Sequence, residues 1–595
     1  MRVADYIIDF VYQKGAHAIF TIAGGGAMFL NDAVICHKKI RYVCNHHEQA
    51  SAMAAEAYAK TREDIGAVML TSGPGSTNAI SGLLEAYQNS IPVFFLSSQA
   101  KKAQMINFSG VTGLRQIGIQ EVNITPIVQS LTKYAVAVEK PEDIRFHLEK
   151  AYAVATSGRP GPVWLDIPSD VAATDIDPKS LNGFARDKRA AMPLASSAQL
   201  DAVLYHIKKA KRPLIIAGGG IRLAQAVAEF RQLIGQLKIP VVVPEMGIDL
   251  LEFDNPYYAG HGGTKGQRNA NIIIQNADVI LVIGSRLSVS FTGHEYDKFA
   301  PAAYKIVVDI DPQEHKKRTI HIDYFVESDA KYFINRLFRK TRNLKLNFNK
   351  NWIKNCQYIK EKYSSLYPPA KNRSALTMYE AIDAISRLSR PGDHFTFDAG
   401  ITAYACTQAL KIKKNQRAII PGATLTMGYN LPAVIGIWAA NPKARIICIT
   451  GDGSFQTNIH ELATIIHHHI PAKIFVINNQ GYLAIRTTQK NLFQGRLIGE
   501  GKLTGVTLPD MRKIAYAYGI KFFRISKKED IPRIIPQALA YKQAVICEIM
   551  TPYWQDIITV SSRKLPDGKL MSLPIDEMAP FLADEEMQKI RKRFS

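Results

Sequence analysis

The chain has 595 residues, 47% of them hydrophobic and 21% charged, with a formal net charge of +22. That length suits three or four globular domains with sizeable cores, and no run approaches the apolar length of a membrane span. A basic excess can serve nucleic acid, an acidic membrane or anionic small molecules. Here the Lys and Arg are spread along the chain, with local clusters only at 339–350 and 589–593 and no zinc-finger or RNA-recognition module beside them. A solvated basic face is therefore expected, with neither nucleic acid nor membrane as a partner. The six cysteines lie far apart with no CxxC, and Cys448 and Cys547 sit inside strand-like runs as reduced core residues. Residues 1–6 begin directly in a helical pattern rather than a signal peptide, so the expected compartment is the cytoplasm.

In chain order, residues 1–175 read as a first α/β unit. A strand at 17–23 leads into Gly24-Gly25-Gly26. A second strand at 41–45 ends in His46-His47-Glu48-Gln49, and an Ala-rich helix follows at 50–60. Glu48 thus sits at a strand-to-helix junction, where a solvated carboxylate in the first helical turn would be ordinary. Next come a strand at 67–71, the turn Gly73-Pro74-Gly75-Ser76-Thr77-Asn78, a helix to Asn89 and a strand at 91–96. Gln120 falls in a loop. The polar stretch 172–198 reads as a linker. A middle α/β unit at 190–345 has strands at 213–217, 279–283 and 305–308, followed by Gly218-Gly219-Gly220, Gly284-Ser285-Arg286 and Asp309-Ile310-Asp311-Pro312. Residues 343–371, rich in Lys, Asn and Tyr, read as a second linker.

The third unit, 372–555, opens with a strand at 394–398 and a loop at 399–402 before a helix. A strand at 444–450 then runs into Gly451-Asp452-Gly453, and 24 residues later comes Asn478-Asn479. Between them Ile459, Leu462, Ala463 and Ile466 recur at helical spacing until Pro471 breaks the helix, and 472–477 reads as another buried strand. Asp452 and Asn479 therefore fall at the carboxyl ends of successive strands, where open parallel sheets bind ligands. Residues 556–595 form a C-terminal tail. Two distant stretches match each other: Gly73-Pro74-Gly75-Ser76…Ile91-Pro92…Ser97-Ser98-Gln99 parallels Gly451-Asp452-Gly453-Ser454…Ile470-Pro471…Asn478-Asn479-Gln480. This is an internal repeat in which one copy lacks the Asp and Asn.

A carboxylate and an amide oxygen are hard ligands that Mg²⁺ accepts while phosphate oxygens fill other positions. The glycines admit close backbone approach, and the helix N-terminus after Ser454 offers unpaired N–H groups. GDG alone would be a plain turn, and Asn-Asn alone a loop. At this spacing, between these strands, the pair resembles the thiamine diphosphate (ThDP) motif, and the chain is similar over nearly its whole length to acetolactate synthase-like enzymes. The resemblance implies three doubly wound parallel-sheet α/β domains: pyrimidine-binding, central and diphosphate-binding.

The same resemblance implies the site. Asp452, Asn479 and the Gly481 carbonyl bind the metal. Glu48, in a His-Glu-Gln setting, hydrogen-bonds the aminopyrimidine, and Gln120 enters the active site. Gly400, Ile401 and Thr402 meet the diphosphate where acetolactate synthases have Gly-Gln-His, so the side-chain anchors differ. Met427, next to Thr426, props the cofactor rings into a bent shape, and Gly453, Ser454, Tyr482 and Leu483 complete the surroundings. In the middle domain Gly260-His261-Gly262 and Gly284-Ser285-Arg286 resemble the version that binds FAD, but Leu287-Ser288-Val289-Ser290 replaces its Phe-Asp-Asp. FAD binding and a vestigial nucleotide fold both stand. Thr488 occupies the position of a Trp that helps anabolic acetolactate synthases select 2-oxobutyrate, so the acceptor pocket differs. The tail resembles that of relatives associated with surface-sugar synthesis.

The implied activity is decarboxylation of a 2-oxo acid, pyruvate first, and ligation of the two-carbon unit to a second carbonyl, in a homodimer or homotetramer with active sites between subunits. The alternatives are transfer to a nucleotide-linked keto-sugar, oxidative decarboxylation with FAD, and a non-catalytic regulatory subunit.

Overall fold

The computed structural model describes residues 1–185, 192–342, 344, 350–366, 375–560, 562–564, 567 and 569–594. The expected boundaries at 190, 345 and 372 lie outside the described residues. Three six-stranded sheets follow one another along the chain, and every pair of neighbouring strands in them is parallel. The architecture is α/β throughout, with helices on both faces of each sheet, as parallel sheets require.

The first sheet comprises β1 (Ala18–Thr21), β2 (Arg41–Cys44), β3 (Gly66–Leu70), β4 (Val93–Gln99), β5 (Tyr134–Ala137) and β6 (Val163–Pro168), ordered β2-β1-β3-β4-β6-β5. The second has β7 (Pro213–Ala217), β8 (Val241–Val243), β9 (Tyr258–His261), β10 (Val279–Ile283), β11 (Tyr304–Asp309) and β12 (Tyr324–Glu327), ordered β12-β11-β10-β7-β8-β9. The third has β13 (His394–Phe397), β14 (Arg417–Ala418), β15 (Ile446–Gly451), β16 (Lys473–Asn478), β17 (Lys521–Ile525) and β18 (Val545–Met550), ordered β14-β13-β15-β16-β18-β17. The first and third sheets share one strand order, and β3-β4 stand in one where β15-β16 stand in the other. The repeat visible in the sequence is thus a repeat of topology. The middle sheet has the order of dinucleotide-binding folds, its switch point lying between β7 and β10.

The first and third domains pack through two helices, Glu48–Arg62 and Asn430–Ala440. The former is buried nearly all round, so its alanines let the partner backbone come close. A Cβ on Gly436 would stand 2.2 Å from the Ala54 carbonyl oxygen, which makes glycine a steric requirement at that crossing.

Several local expectations are corrected. Residues 400–402 are not loop but the first turn of the Gly400–Ala409 helix, because Gly400 at φ +67° turns the chain three residues after the strand ends at Phe397. The helix after β15 begins at Asp452 itself rather than after Ser454, and the next helix ends at His467, four residues before Pro471. The stretch 343–371 is not simply a linker: Lys350–Lys362 is a helix that buries Trp352, Cys356 and Ile359 along one face. Its polar composition hides that stripe, since the three buried residues stand singly at i, i+4 and i+7 among Lys, Asn and Gln.

The described residues of the tail dock on the second and third domains. Arg268 donates to the carbonyls of Met578 (2.9 Å) and Pro580 (2.6 Å), and Ile575, Ile590 and Phe594 enter the middle-domain core. The closing helix Asp584–Phe594 brings Phe594 edge-on to Trp352, 5.3 Å between ring centres.

Candidate active site

At the switch point of the third sheet, the chain leaves β13 at Asp398 and β15 at Gly451. Asp398 is fully buried; its Oδ2 accepts the Ser454 hydroxyl at 2.5 Å and the Gly428 N–H at 3.2 Å. Burial pushes its carboxyl up to about 6. The Ser454 hydroxyl also accepts the Gly428 N–H at 2.9 Å, and Asn458 donates to the Gly428 carbonyl at 2.8 Å, so the 424–429 segment is pinned over the helix start. From the other side, Thr424 and Thr426 both donate to Glu85 of the first domain, at 2.5 Å each. Met427 projects from this pinned segment, 36% exposed.

Asp452 is the first residue of the helix Asp452–Thr457, and its side chain is buried. Its Oδ1 accepts the Gly453 N–H at 2.9 Å and its Oδ2 the Gly481 N–H at 3.0 Å. Burial outweighs these donors and those of Asn479 and Gln480, and holds the carboxyl up at about 6. Next to it, the Asn479 amide oxygen is buried without a hydrogen-bond partner among the described residues. A buried acceptor left unpaired costs about 1–3 kcal/mol, so a ligand for it is the economical reading of the geometry. The Asp452 carboxylate and the Asn479 amide oxygen are hard oxygen donors of the kind that suit a divalent cation also taking phosphate oxygens.

The space beside this set depends on glycine. A Cβ on Gly453 would fall 2.2 Å from the Tyr482 ring, and one on Gly481, at φ +139°, would fall 2.0 Å from the Glu500 carbonyl oxygen. Leu483 is buried and starts the helix Leu483–Leu492. Gly400, Ile401 and Thr402 begin another helix alongside, with the Thr402 hydroxyl 3.2 Å from where a Cβ on Gly451 would stand. Thr488 is exposed on the Leu483–Leu492 helix.

Glu48 opens the Glu48–Arg62 helix and is buried; His47 caps it by accepting the Gln49 N–H on Nδ1 at 3.1 Å. The Asn78 amide donates to Glu48 Oε2 at 3.1 Å, and a Cβ on Gly75 would lie 3.4 Å from Oε1. Gln120, at φ +57°, sets its carbonyl 2.5 Å from the place of a Cβ on Gly73. Glu48 and Gln120 thus flank one glycine turn, while Asp452, Gly453, Ser454, Asn479, Gly481 and Tyr482 gather around another with Gly400–Thr402 and Met427. Among the described residues no hydrogen bond or ion pair joins the two groups within a chain. Asn78, Glu85, Asp398 and Asn458 were not singled out from the sequence. Asn78 and Asn458 each follow a Thr and cap the end of the short helix after their glycine turn, and that Thr-Asn pair in both copies was the signal available.

A cavity of about 670 Å³ opens at the switch point of the middle sheet. Gly219, Gly220 and the turn Gly284–Arg286 line it, together with His261, Lys265, Lys60 and Tyr404 from all three domains. Gly220 must be glycine, for a Cβ there would meet the Gly284 Cα at 2.8 Å. Burial holds His261 neutral, at about 4, and lowers the Arg286 guanidinium, a cation placed where an anion would relieve it.

Three family models match the chain: the N-terminal TPP binding domain of thiamine pyrophosphate enzymes over residues 1–127, the central domain over 200–337 and the C-terminal TPP binding domain over 398–549. The acetolactate synthase large subunit of Cyanidium caldarium is 31% identical over 90% of both chains. The isozyme 2 large subunit of Escherichia coli (strain K12) is 30% identical over 89% of this chain and 92% of its own. A probable acetolactate synthase large subunit of Methanocaldococcus jannaschii is 30% identical over 100% and 98%.

Proposed function

The chain belongs to the acetolactate synthase-like thiamine diphosphate enzymes, and from that membership we propose that it decarboxylates a 2-oxo acid, pyruvate first, and joins the two-carbon unit to a second carbonyl. The observation that supports this most is the buried Asp452 carboxylate beside the unpartnered Asn479 amide oxygen. These two and the Gly481 carbonyl would hold Mg²⁺, leaving its other positions to diphosphate oxygens. When bound, thiamine diphosphate supplies the electron sink that takes up the pair released as carbon dioxide leaves.

The chain's own residues do the rest. Glu48 has Oε2 engaged by Asn78, which leaves Oε1 to share a proton with the aminopyrimidine. The first-turn N–H groups at Gly400–Thr402 face the diphosphate, with the Thr402 hydroxyl as the side-chain donor. Met427 supports the rings from the segment that Glu85 and Asp398 pin, and Gln120 reaches the substrate from the Gly73 turn. The assembly proposed with this activity is a homodimer or homotetramer in which the site forms between subunits. Ile119 and Leu503, 89% and 98% exposed, are apolar surface that such an interface would cover.

For the middle domain, the cavity favours FAD over a vestigial fold. Two glycine turns let a backbone approach a pyrophosphate, and Arg286 supplies the positive charge. Flavin fluorescence released on denaturing the purified protein tests this. The compartment proposed is the cytoplasm, in keeping with six unpaired cysteines. No helix among the described residues is long and apolar enough to cross a membrane.

The experiment for the activity is carbon dioxide release from pyruvate with ThDP and Mg²⁺, with product identification. Acetolactate supports self-condensation. Carbon dioxide without acetolactate directs the second carbonyl to a keto-sugar or aldehyde. Failure to bind ThDP overturns the proposal.

A further inference from the structure

Behind the Asn479–Gly481 turn lies a buried ion pair that the mechanism above does not use. Arg486 and Glu500 are 0% and 1% exposed. Burying two charges is costly unless each is fully hydrogen-bonded, so the partners of this pair show what it is for. A guanidinium has five N–H donors, and here all five have an acceptor. Nε donates to Glu500 Oε2 at 2.5 Å. Nη1 donates to the Asn479 carbonyl at 3.3 Å and to the Tyr553 carbonyl; Nη2 donates to the Gln480 carbonyl at 3.3 Å and the Glu500 carbonyl at 3.4 Å. The guanidinium also lies flat on the Tyr553 ring, 3.2 Å from its centre. Glu500 is held in turn by the Tyr553 hydroxyl, 2.9 and 3.0 Å from its two oxygens, and its own carbonyl accepts the Tyr482 N–H at 2.8 Å.

Two successive carbonyls, Asn479 and Gln480, thus point at one cation. Adjacent carbonyls in an extended chain point to opposite sides, so gathering them on one side requires a sharp turn. The backbone supplies it, with Gln480 at φ +63° and Gly481 at φ +139°. The consequence is felt on the opposite side of the turn: the Gly481 N–H meets Asp452, and the Asn479 amide oxygen is left buried and unpartnered.

We propose that Arg486, held by Glu500 and Tyr553, is a positioning residue for the cation site, fixing the turn that presents Asn479 and Gly481 beside Asp452. This rests on the reading of those three residues as Mg²⁺ ligands. Lysine cannot substitute, because an ammonium lacks the planar fork needed to hold a carboxylate and two neighbouring carbonyls at once.

The test is calorimetric titration of Mg²⁺ into the full chain at saturating ThDP, for wild type, Asp452→Asn, Arg486→Lys and Tyr553→Phe, with melting curves of the metal-free proteins. Arg486→Lys is expected to weaken Mg²⁺ about 10- to 100-fold, the usual effect of losing an outer partner of a metal ligand. Its kcat at saturating Mg²⁺ should change far less than its apparent Kd for Mg²⁺. A purely structural pair would lower the metal-free melting temperature and leave the Kd of the folded protein unchanged, and that result overturns the proposal. Should Arg486→Lys fail to fold, Tyr553→Phe decides by the same criterion, because it keeps both charges. If Asp452→Asn binds Mg²⁺ as wild type does, the ligand reading itself fails. If Asp452→Asn loses Mg²⁺ while Arg486→Lys keeps it, only the positioning role fails.

Discussion

The Asp452 carboxylate accepts the Gly481 backbone N–H at 3.0 Å, tying the carboxyl end of β15 to the turn that follows β16. A single side chain thus extends beyond the ladder of these two paired strands and holds the turn after one against the end of the other.

The glycines on either side of that bond admit no side chain. Gly453→Ala would drive a Cβ into the Tyr482 ring, 2.2 Å away. Overpacking of this kind costs about 1–3 kcal/mol, so Gly453→Ala is expected to weaken ThDP binding roughly 5- to 150-fold. A binding isotherm of ThDP with excess Mg²⁺ measures it; unchanged affinity would mean that the cofactor does not use this cradle.

Glu48→Gln keeps the shape of the side chain and an oxygen for Asn78 to donate to. ThDP and Mg²⁺ should bind as in wild type while decarboxylation falls about 10²- to 10⁴-fold, the range for loss of a proton-transfer group. Steady-state rates read together with the binding isotherm separate the two. Full activity in this variant would remove Glu48 from the mechanism.

Glu48→Gln and Asp452→Asn chains should each be inactive alone. Co-refolded in equal amounts, half the dimers would be mixed, and each mixed dimer would carry one intact site if the site forms between subunits. Activity should then return to about a quarter of wild type. If sites form within a chain, the mixture stays inactive.

Asp166 is a buried carboxyl on β6 that accepts the Ser97 hydroxyl at 2.5 Å and the Gln99 amide at 3.0 Å. Burial pushes it up to about 7 from an ordinary value of 3.8. The folded protein therefore keeps this proton where the unfolded chain has released it. The stability it contributes is present below about 4 and lost as pH rises through about 7, by roughly 4 kcal/mol at most. Chemical denaturation between pH 4 and 8 should show this slope in wild type and a flatter one in Asp166→Asn. Equal slopes would mean that Asp166 is ionised in the folded protein.

Much of this protein was legible in the chain alone. Runs such as 213–217 and 279–283 are apolar on both faces because parallel strands are covered on both, and β7 and β10 occupy those same residues. Gly451-Asp452-Gly453 and Asn478-Asn479 could be placed at two strand ends because one crossover helix sets the spacing between β15 and β16. The repeat of Gly73–Gln99 in Gly451–Gln480 foretold that two sheets would share a strand order, since the same local sequence builds the same crossover.

What the sequence left open depended on residues distant along the chain. The Lys350–Lys362 helix looked like a linker because its stripe has meaning only against the middle domain and Phe594. The tail's docking rests on Arg268, some 310 residues away from Met578. No sequence pattern marks Arg486 and Glu500 as buried, and the close approach of four carbonyls and the Tyr553 ring makes a buried guanidinium tolerable there. Periodicity and motif spacing record what each segment must be; which charges leave water is decided by the partners that the tertiary structure brings to them.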